Sequence, residues 1–265
     1  MQAFPIVLFA LLPLQTDPGS TTRIAYETWK RAEAARTSDR SRESEVLYRE
    51  ALAAREREDG PDHPGLVAIL SGLGEVLHQM ERDVEAQTVF RRVLSIQERS
   101  TPDAHAAIGI TLNNLAEVYR SRERFVTAEP LFRRALHELE TALGDHHFWI
   151  ARVLNNLGAL RADTGYYEEA AKLFRRALAL SETHQPESAE VAAILSNLGA
   201  TAIERGKFRE AERYLLRAMR IQSSLLAADH PASITVSRQY AVVLRRTGRK
   251  TQAERIEAGI AAFRP

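Results

Sequence analysis

Residues 154–160 read LNNLGAL, and residues 112–118, 42 positions earlier, read LNNLAEV. The same frame returns as LSGLGEV at 70, as LSNLGAT at 195 and, degenerate, as SRQYAVV at 237. A second series keeps step with it: YREAL at 48, FRRVL at 90, FRRAL at 132 and 174, and LLRAM at 215. Twelve positions after the Gly or Ala of the first frame a small residue always follows, at Ala86, Ala128, Ala170, Ala211 and Ala253. Three series in phase over five units describe an array of stacked units rather than one globule. Inside each unit the apolar residues fall at helical spacing and strand-like alternation is absent. The fold class expected is therefore all-α, an α-solenoid of about six helix-turn-helix repeats.

One unit shows how the hairpin is built. From Phe148 a first helix is expected to run to about Asp163, turn at Thr164-Gly165 and return as a second helix from about Tyr167 to Glu182. Gly165, Gly206 and Gly248 share one slot, where glycine ends a helix by taking a left-handed conformation. Glu81 and Glu123 fill that slot in two other units, so those two turns are expected to be built differently. Gly158, Ala170 and Ala177 mark the places where paired helices approach closely. Pro130 falls in the first turns of its helix, a local defect rather than a boundary. The expected repeats cover residues 22–58, 64–100, 106–143, 148–183, 189–226 and 231–263, within an array spanning 21–265.

With Gly158 as the eighth position, Leu157 as the seventh, Ala170 as the twentieth, Phe174 as the twenty-fourth and Ala177 as the twenty-seventh, the unit resembles the tetratricopeptide repeat. The period of 42, together with LNNL, GYYEEA, LFRRAL and the linkers GPDHP and AADHP, is more specifically similar to the long repeats of kinesin light chains and their bacterial relatives. The resemblance implies a right-handed superhelix whose first helices line a concave wall, and a non-catalytic protein-binding role with an extended peptide held in that groove. Two departures stand out. Arg161 occupies a position that the motif gives to an aromatic or apolar residue, and the proline expected at position thirty-two is replaced by Glu98, Glu140, Glu182 and Ser223. A longer second helix would fill the extra residues. The first and last units match weakly, as the caps of a stacked array should.

Each helical residue advances the helix by about 100°. Leu154, Leu157 and Gly158 therefore share the face packed on the partner helix, and Arg152, Asn155, Asn156 and Ala159 share the opposite one. The candidate peptide-binding residues on that face are Asn113, Asn114, Glu117, Arg120, Arg152, Asn155, Asn156, Asn197, Arg238 and Gln239, with Ser71, Glu75, Ile110, Ser196 and Arg245 at related positions. Asn114, Asn156, Asn197 and Gln239 supply one amide per unit. Packed helices lie about 8–10 Å apart and an extended strand advances about 3.3 Å per residue, so one amide would meet every third residue of a bound segment. A carboxamide donates to C=O and accepts from N–H, and so holds backbone without demanding a sequence. The competing reading is a ladder of amides bonded to neighbouring helices. The first asparagine of each pair, Asn113 or Asn155, is the better candidate for ligand contact; for the second the two readings stand level.

The remaining chemistry is negative. The chain has no cysteine, which removes disulfides, thiolate metal sites and thiol nucleophiles. His63, His105 and His147 recur at steps of 42 and His230 returns in the same linker, yet equivalents one helix apart cannot share a zinc that needs each nitrogen at about 2.1 Å. They are expected to cap or brace the first helices, with Pro64 and Pro231 suited to the first turn. GATAIERGK at 199–207 has the wrong spacing for a phosphate loop. No cofactor, metal or catalytic cluster is expected, so an enzyme would have to use the array only as a frame. Nucleic acid is disfavoured by a net charge of +1 and by the lack of groove aromatics.

The charge is uneven, however. Residues 206–265 carry 12 Lys/Arg against 5 Asp/Glu, a net +7 that favours an acidic partner or, alternatively, weak association between the basic end of one copy and the acidic end of another. An apolar run, Phe4–Leu14, has the length of a signal-peptide core but lacks a preceding Lys or Arg and a clean cleavage site. Export to the envelope is the expectation if residues 1–20 are a leader, with a role in assembling an envelope complex. A cytoplasmic adaptor, or the framework subunit of an enzyme complex, is the alternative. No later segment is expected to cross a membrane.

Overall fold

The computed structural model describes residues 21–38 and 40–261, so the expected leader lies outside the described residues. Among the described residues, twelve α-helices form six antiparallel pairs: α1 (Thr21–Thr37) with α2 (Ser41–Asp59), α3 (Val67–Gln79) with α4 (Asp83–Ser100), and α5 (His105–Ser121) with α6 (Phe125–Leu143). Then follow α7 (Phe148–Asp163) with α8 (Tyr167–His184), α9 (Ala189–Glu204) with α10 (Phe208–Leu225), and α11 (Pro231–Arg246) with α12 (Lys250–Ala261). A single 3-10 turn, Pro64–Leu66, leads into α3. The array is all-α among the described residues, as the repeat frame requires. It divides into two compact units between Gly144 and Asp145, each holding three hairpins.

In three hairpins a bulky side chain of the second helix sits in a notch left by a glycine of the first. A Cβ at Gly74 would lie 2.8 Å from the Phe90 ring, one at Gly158 would lie 2.8 Å from Phe174, and one at Gly199 would lie 2.5 Å from Leu215. Phe90, Phe132 and Phe174 are buried, each worth about 1.5–3 kcal/mol on removal from water. Small residues in the facing helix allow the axes to approach this closely.

Within each unit, the first helices of successive hairpins touch directly (α1 with α3, α3 with α5; α7 with α9, α9 with α11), whereas successive second helices do not. Each unit therefore bends toward its first helices, which form its inner wall. The second helices are joined by side chains instead. Arg92 pairs with Glu56 at 2.6 Å and Arg134 with Glu98 at 2.8 Å in the first unit, and Arg217 pairs with Glu182 in the second. These glutamates stand at the thirty-second position of the motif. The missing proline is thus replaced by the acid half of a bridge between hairpins. The second helices α4, α6, α8 and α10 run 18 or 19 residues, which accommodates the long period. Pro130 lies inside α6 without ending it.

The turns overturn one expectation. Glu81 and Glu123 adopt φ of 60° and 57°, the same left-handed slot that Gly165, Gly206 and Gly248 fill at 81°, 68° and 84°. In all five turns the next N–H reaches back five residues: Arg82 to Leu77 O, Arg124 to Tyr119 O, Tyr166 to Arg161 O, Lys207 to Ala202 O and Arg249 to Leu244 O. The closing hydrogen bonds satisfy helix carbonyls that would otherwise be orphaned. They hold two glutamates in a conformation that costs an L residue about 1–2 kcal/mol.

The linker histidines act as caps. Nδ1 of His63, His147 and His230 accepts the N–H of Gly65, Trp149 and Ala232 at 3.1, 3.3 and 3.1 Å. His105 departs from the series. It is the first residue of α5, and its Nδ1 lies 2.6 Å from Glu138 Oε2 on α6. Arg161 is made tolerable by its neighbours: its guanidinium sits 5.4 Å from the Tyr166 ring and 3.2 Å from Glu169.

Candidate binding wall

In the first unit the inner wall is built of charges that neutralise one another. Arg36 on α1, only 6% exposed, pairs with Glu33 at 2.7 Å and with Glu75 on α3 at 3.1 Å. Burial would lower the Arg36 pKa, but Glu33 and Glu75 outweigh it and the net shift is upward. Tyr48 on α2 donates to Glu33 as well; burial, reinforced by that carboxylate, raises its pKa. On α5, Asn114 donates to Glu75 at 3.5 Å and Glu117 pairs with Arg120 at 2.6 Å. Glu33, Glu75 and Glu117 thus repeat at one helix position, a ladder of acids of which only the last two were expected on this wall.

The second unit has a different wall. On α7, Arg152 lies 5.1 Å from the Trp149 ring and has no ion pair among the described residues. Asn155 donates to Asn156 at 3.4 Å and accepts from Asn197 of α9 at 2.9 Å. Ser196 of α9 donates to Gln239 of α11 at 2.9 Å. Asn155, Asn156, Asn197 and Gln239 are all half-buried, so they form a partly accessible row of amides crossing three first helices. Beside Arg152, the Glu190 carboxyl has a buried Oε1 with no hydrogen-bond partner. Burial pushes its pKa above the ordinary value, and Arg152 and His184 recover only part of the shift. Trp149 and Glu190 escaped the sequence reading because they lie one turn before the repeat frame.

The proposed residues are therefore not equivalent. Asn113 is 2% exposed and donates to Asn114 at 3.3 Å, so it supports the wall of the first unit from behind. Asn155, at the same helix position, is half-buried in the second unit. Arg238 shares that position too but is exposed on α11. The amides bridge neighbouring helices, Asn197 to Asn155 and Ser196 to Gln239, and keep accessible surface.

These geometries agree with known proteins. The tetratricopeptide repeat model matches residues 23–99, 107–183 and 190–258. Among solved structures, BtubC (BKLC) from P. vanneervenii is 26% identical with a TM-score of 0.65, covering 77% of this chain and 82% of its own. A Podosopora anserina kinesin light chain of nearly identical TPR-like repeats is 20% identical with a TM-score of 0.61, covering 77% of this chain and 97% of its own. PilW, a type IV pilus biogenesis factor, is 19% identical with a TM-score of 0.65, covering 91% of this chain and 93% of its own. No curated protein matches the sequence. With three family matches spread over all six hairpins, the chain belongs to the tetratricopeptide repeat family.

Proposed function

We propose that the protein is a non-catalytic scaffold whose second unit holds an extended segment of another protein against Arg152, Asn155, Asn156, Asn197 and Gln239. The row of half-buried amides on three consecutive first helices carries this reading. Asn197 spends one N–H on Asn155, which leaves its Oδ1 and its second N–H for a ligand. An amide that can both donate and accept suits peptide backbone, and Arg152, held over the Trp149 ring with no direct ion pair among the described residues, adds a cation beside the row. The surplus of basic residues in 206–265 favours a partner with an acidic stretch.

The test begins with peptides selected from a random extended library against the whole chain, measured by fluorescence anisotropy. The Asn156→Ala/Asn197→Ala double variant should bind them at least tenfold more weakly. Unchanged affinity in a variant with unchanged melting would reject the amide wall. The compartment has a separate test. The apolar run Phe4–Leu14 favours an envelope role, to be checked by mass spectrometry of the mature N-terminus. An intact Met1 in the soluble fraction would favour a cytoplasmic adaptor. Among the described residues no helix is long and apolar enough to cross a membrane.

A further inference from the structure

At the junctions inside each unit, one stripe of the first helix faces the first helix of the next hairpin. Four contacts identify the stripe: Arg36 of α1 pairs with Glu75 of α3, and Glu75 accepts from Asn114 of α5. Asn155 of α7 accepts from Asn197 of α9, and Ser196 of α9 donates to Gln239 of α11. Counting by repeats, Arg238 stands where Asn155 and Ser196 stand, Val242 where Glu75 stands, and Arg245 where Arg36 stands. On α11 no described helix covers these residues. Val242 is 41% exposed, and Arg238, Arg245 and Arg246 are exposed around it. Arg245 pairs with Glu257 inside its own hairpin at 2.5 Å, while Arg238 and Arg246 have no ion pair among the described residues. The four residues span about 12 Å of helix at a 1.5 Å rise per residue.

We propose that this face of α11 docks an acidic amphipathic helix supplied by another protein, at a site separate from the amide wall. The occupant is a helix because the same stripe receives one at the internal junctions. It is acidic because three arginines surround a single small apolar contact, and only one of them is already paired. A second copy of the chain is a poor occupant. At internal junctions the incoming helix presents the position of Asn114, Asn197 and Gln239, and in the first hairpin that position is Lys30, with Arg31 exposed beside it. Stacked head to tail, Lys30 would be driven against Arg238.

The experiment selects from a library of helical peptides with one face randomised among Glu, Lys, Leu and Ala, presented to the full chain. Peptides carrying Glu at i, i+4 and i+7 around one Leu or Ala should be enriched. Their affinity should fall at least tenfold in the Arg238→Glu/Arg246→Glu variant, fall with added NaCl, and stay unchanged in Asn156→Ala/Asn197→Ala. That last variant separates the end face from the amide wall, so either reading can fail alone. The substituted arginines are exposed, and an unchanged melting curve checks that the variant is folded. The proposal is overturned if no helix is enriched, if those enriched are neutral or basic, or if charge reversal leaves binding intact. It is equally overturned if phosphatidylglycerol vesicles compete the peptides away and bind the wild type more tightly, or if sedimentation at low salt shows dimers lost on charge reversal.

Discussion

Replacing Glu81 and Glu123 by glycine should stabilise the first unit. Both residues sit at positive φ, where an L side chain costs about 1–2 kcal/mol. Glycine gives back part of this by widening the unfolded ensemble, a loss of about 0.5–1 kcal/mol. An acid at a helix C-terminus also opposes the helix dipole, adding about 0.3–0.5 kcal/mol to the benefit of removing it. The expected net gain is about 1 kcal/mol at each turn. The two sites are 42 residues apart in separate hairpins, so the double variant should gain about 2 kcal/mol. Urea unfolding followed by far-UV circular dichroism would show a higher midpoint with an unchanged slope. Two controls divide the effect. Glu81→Gln removes the charge but keeps the backbone cost, and should recover only the dipole share. Gly165→Ala imposes the cost on a turn that now avoids it, and should lose about 1 kcal/mol. If both glycine variants are neutral or destabilised while Gly165→Ala behaves as expected, the strain assigned to the glutamate turns is refuted.

Other perturbations test the packing and the charges. Gly158→Ala should destabilise by about 1–3 kcal/mol in thermal melts, because its Cβ would meet the Phe174 ring at 2.8 Å with a buried core behind it. Glu190→Gln should raise the melting temperature at pH 7. The folded Glu190 pKa is raised, so its contribution to stability is present below the unfolded pKa and lost as pH rises through the folded one. The gain should disappear toward pH 4, and an equal gain at both pH values would contradict the assignment. His147→Asp should flatten the pH dependence of stability below neutrality. Burial, then His184, lowers the His147 pKa, so the cap it gives Trp149 is fully present above the unfolded pKa and lost as pH falls through the folded value. Arg134→Ala should cost less than about 1 kcal/mol and become neutral in high salt, since its bridge to Glu98 is partly exposed. A larger, salt-resistant loss would mean that the outer bridges do more than link hairpins.

Much of this was legible because a repeat samples the same geometry several times. The hairpins, the three glycine turns and the capping role of His63, His147 and His230 follow from residues returning at one helix position. What resisted was whatever a neighbouring hairpin decides. Asn113 and Asn155 occupy the same position with the same flanking leucines, yet one is buried and the other half-buried. The repeat frame fixes where a side chain points; its burial depends on side chains brought by the hairpins on either side, which the frame leaves free. Glu190 was missed because it lies one turn before the repeat frame, and its surroundings, Arg152 of α7 and His184 at the end of α8, come from other helices. The glutamate turns failed differently. Residue type argued for a new turn, but five-residue closure by backbone hydrogen bonds outweighs about 1–2 kcal/mol of local strain.

The departures from the motif make sense as pairs and not singly. Glu56, Glu98 and Glu182 each face an arginine 35 or 36 residues later. At the last junction the acid has become Ser223 and the corresponding arginine position has become Gly259, so both halves of the bridge are absent together. The junction is held instead by Arg249 on Glu212, at 2.6 and 2.8 Å, and by Tyr240 donating to the same carboxylate at 3.4 Å. The same pair, Arg82 on Glu45 at 2.6 Å, joins the first two hairpins, so what this junction lacks is the outer glutamate–arginine bridge; Leu216 is exposed where Arg49, Arg91, Arg133 and Arg175 stand in other hairpins. The sixth hairpin is therefore joined by this two-pronged contact and a hydroxyl without the outer glutamate–arginine bridge beside them. If that contact is what secures it, Glu212→Gln should loosen α11 and α12 alone, and hydrogen exchange should rise there while α7 to α10 keep their protection. Uniform loss of protection across the unit would instead mean that apolar packing around Val236 and Val243 holds the hairpin, and that the arginine merely decorates it.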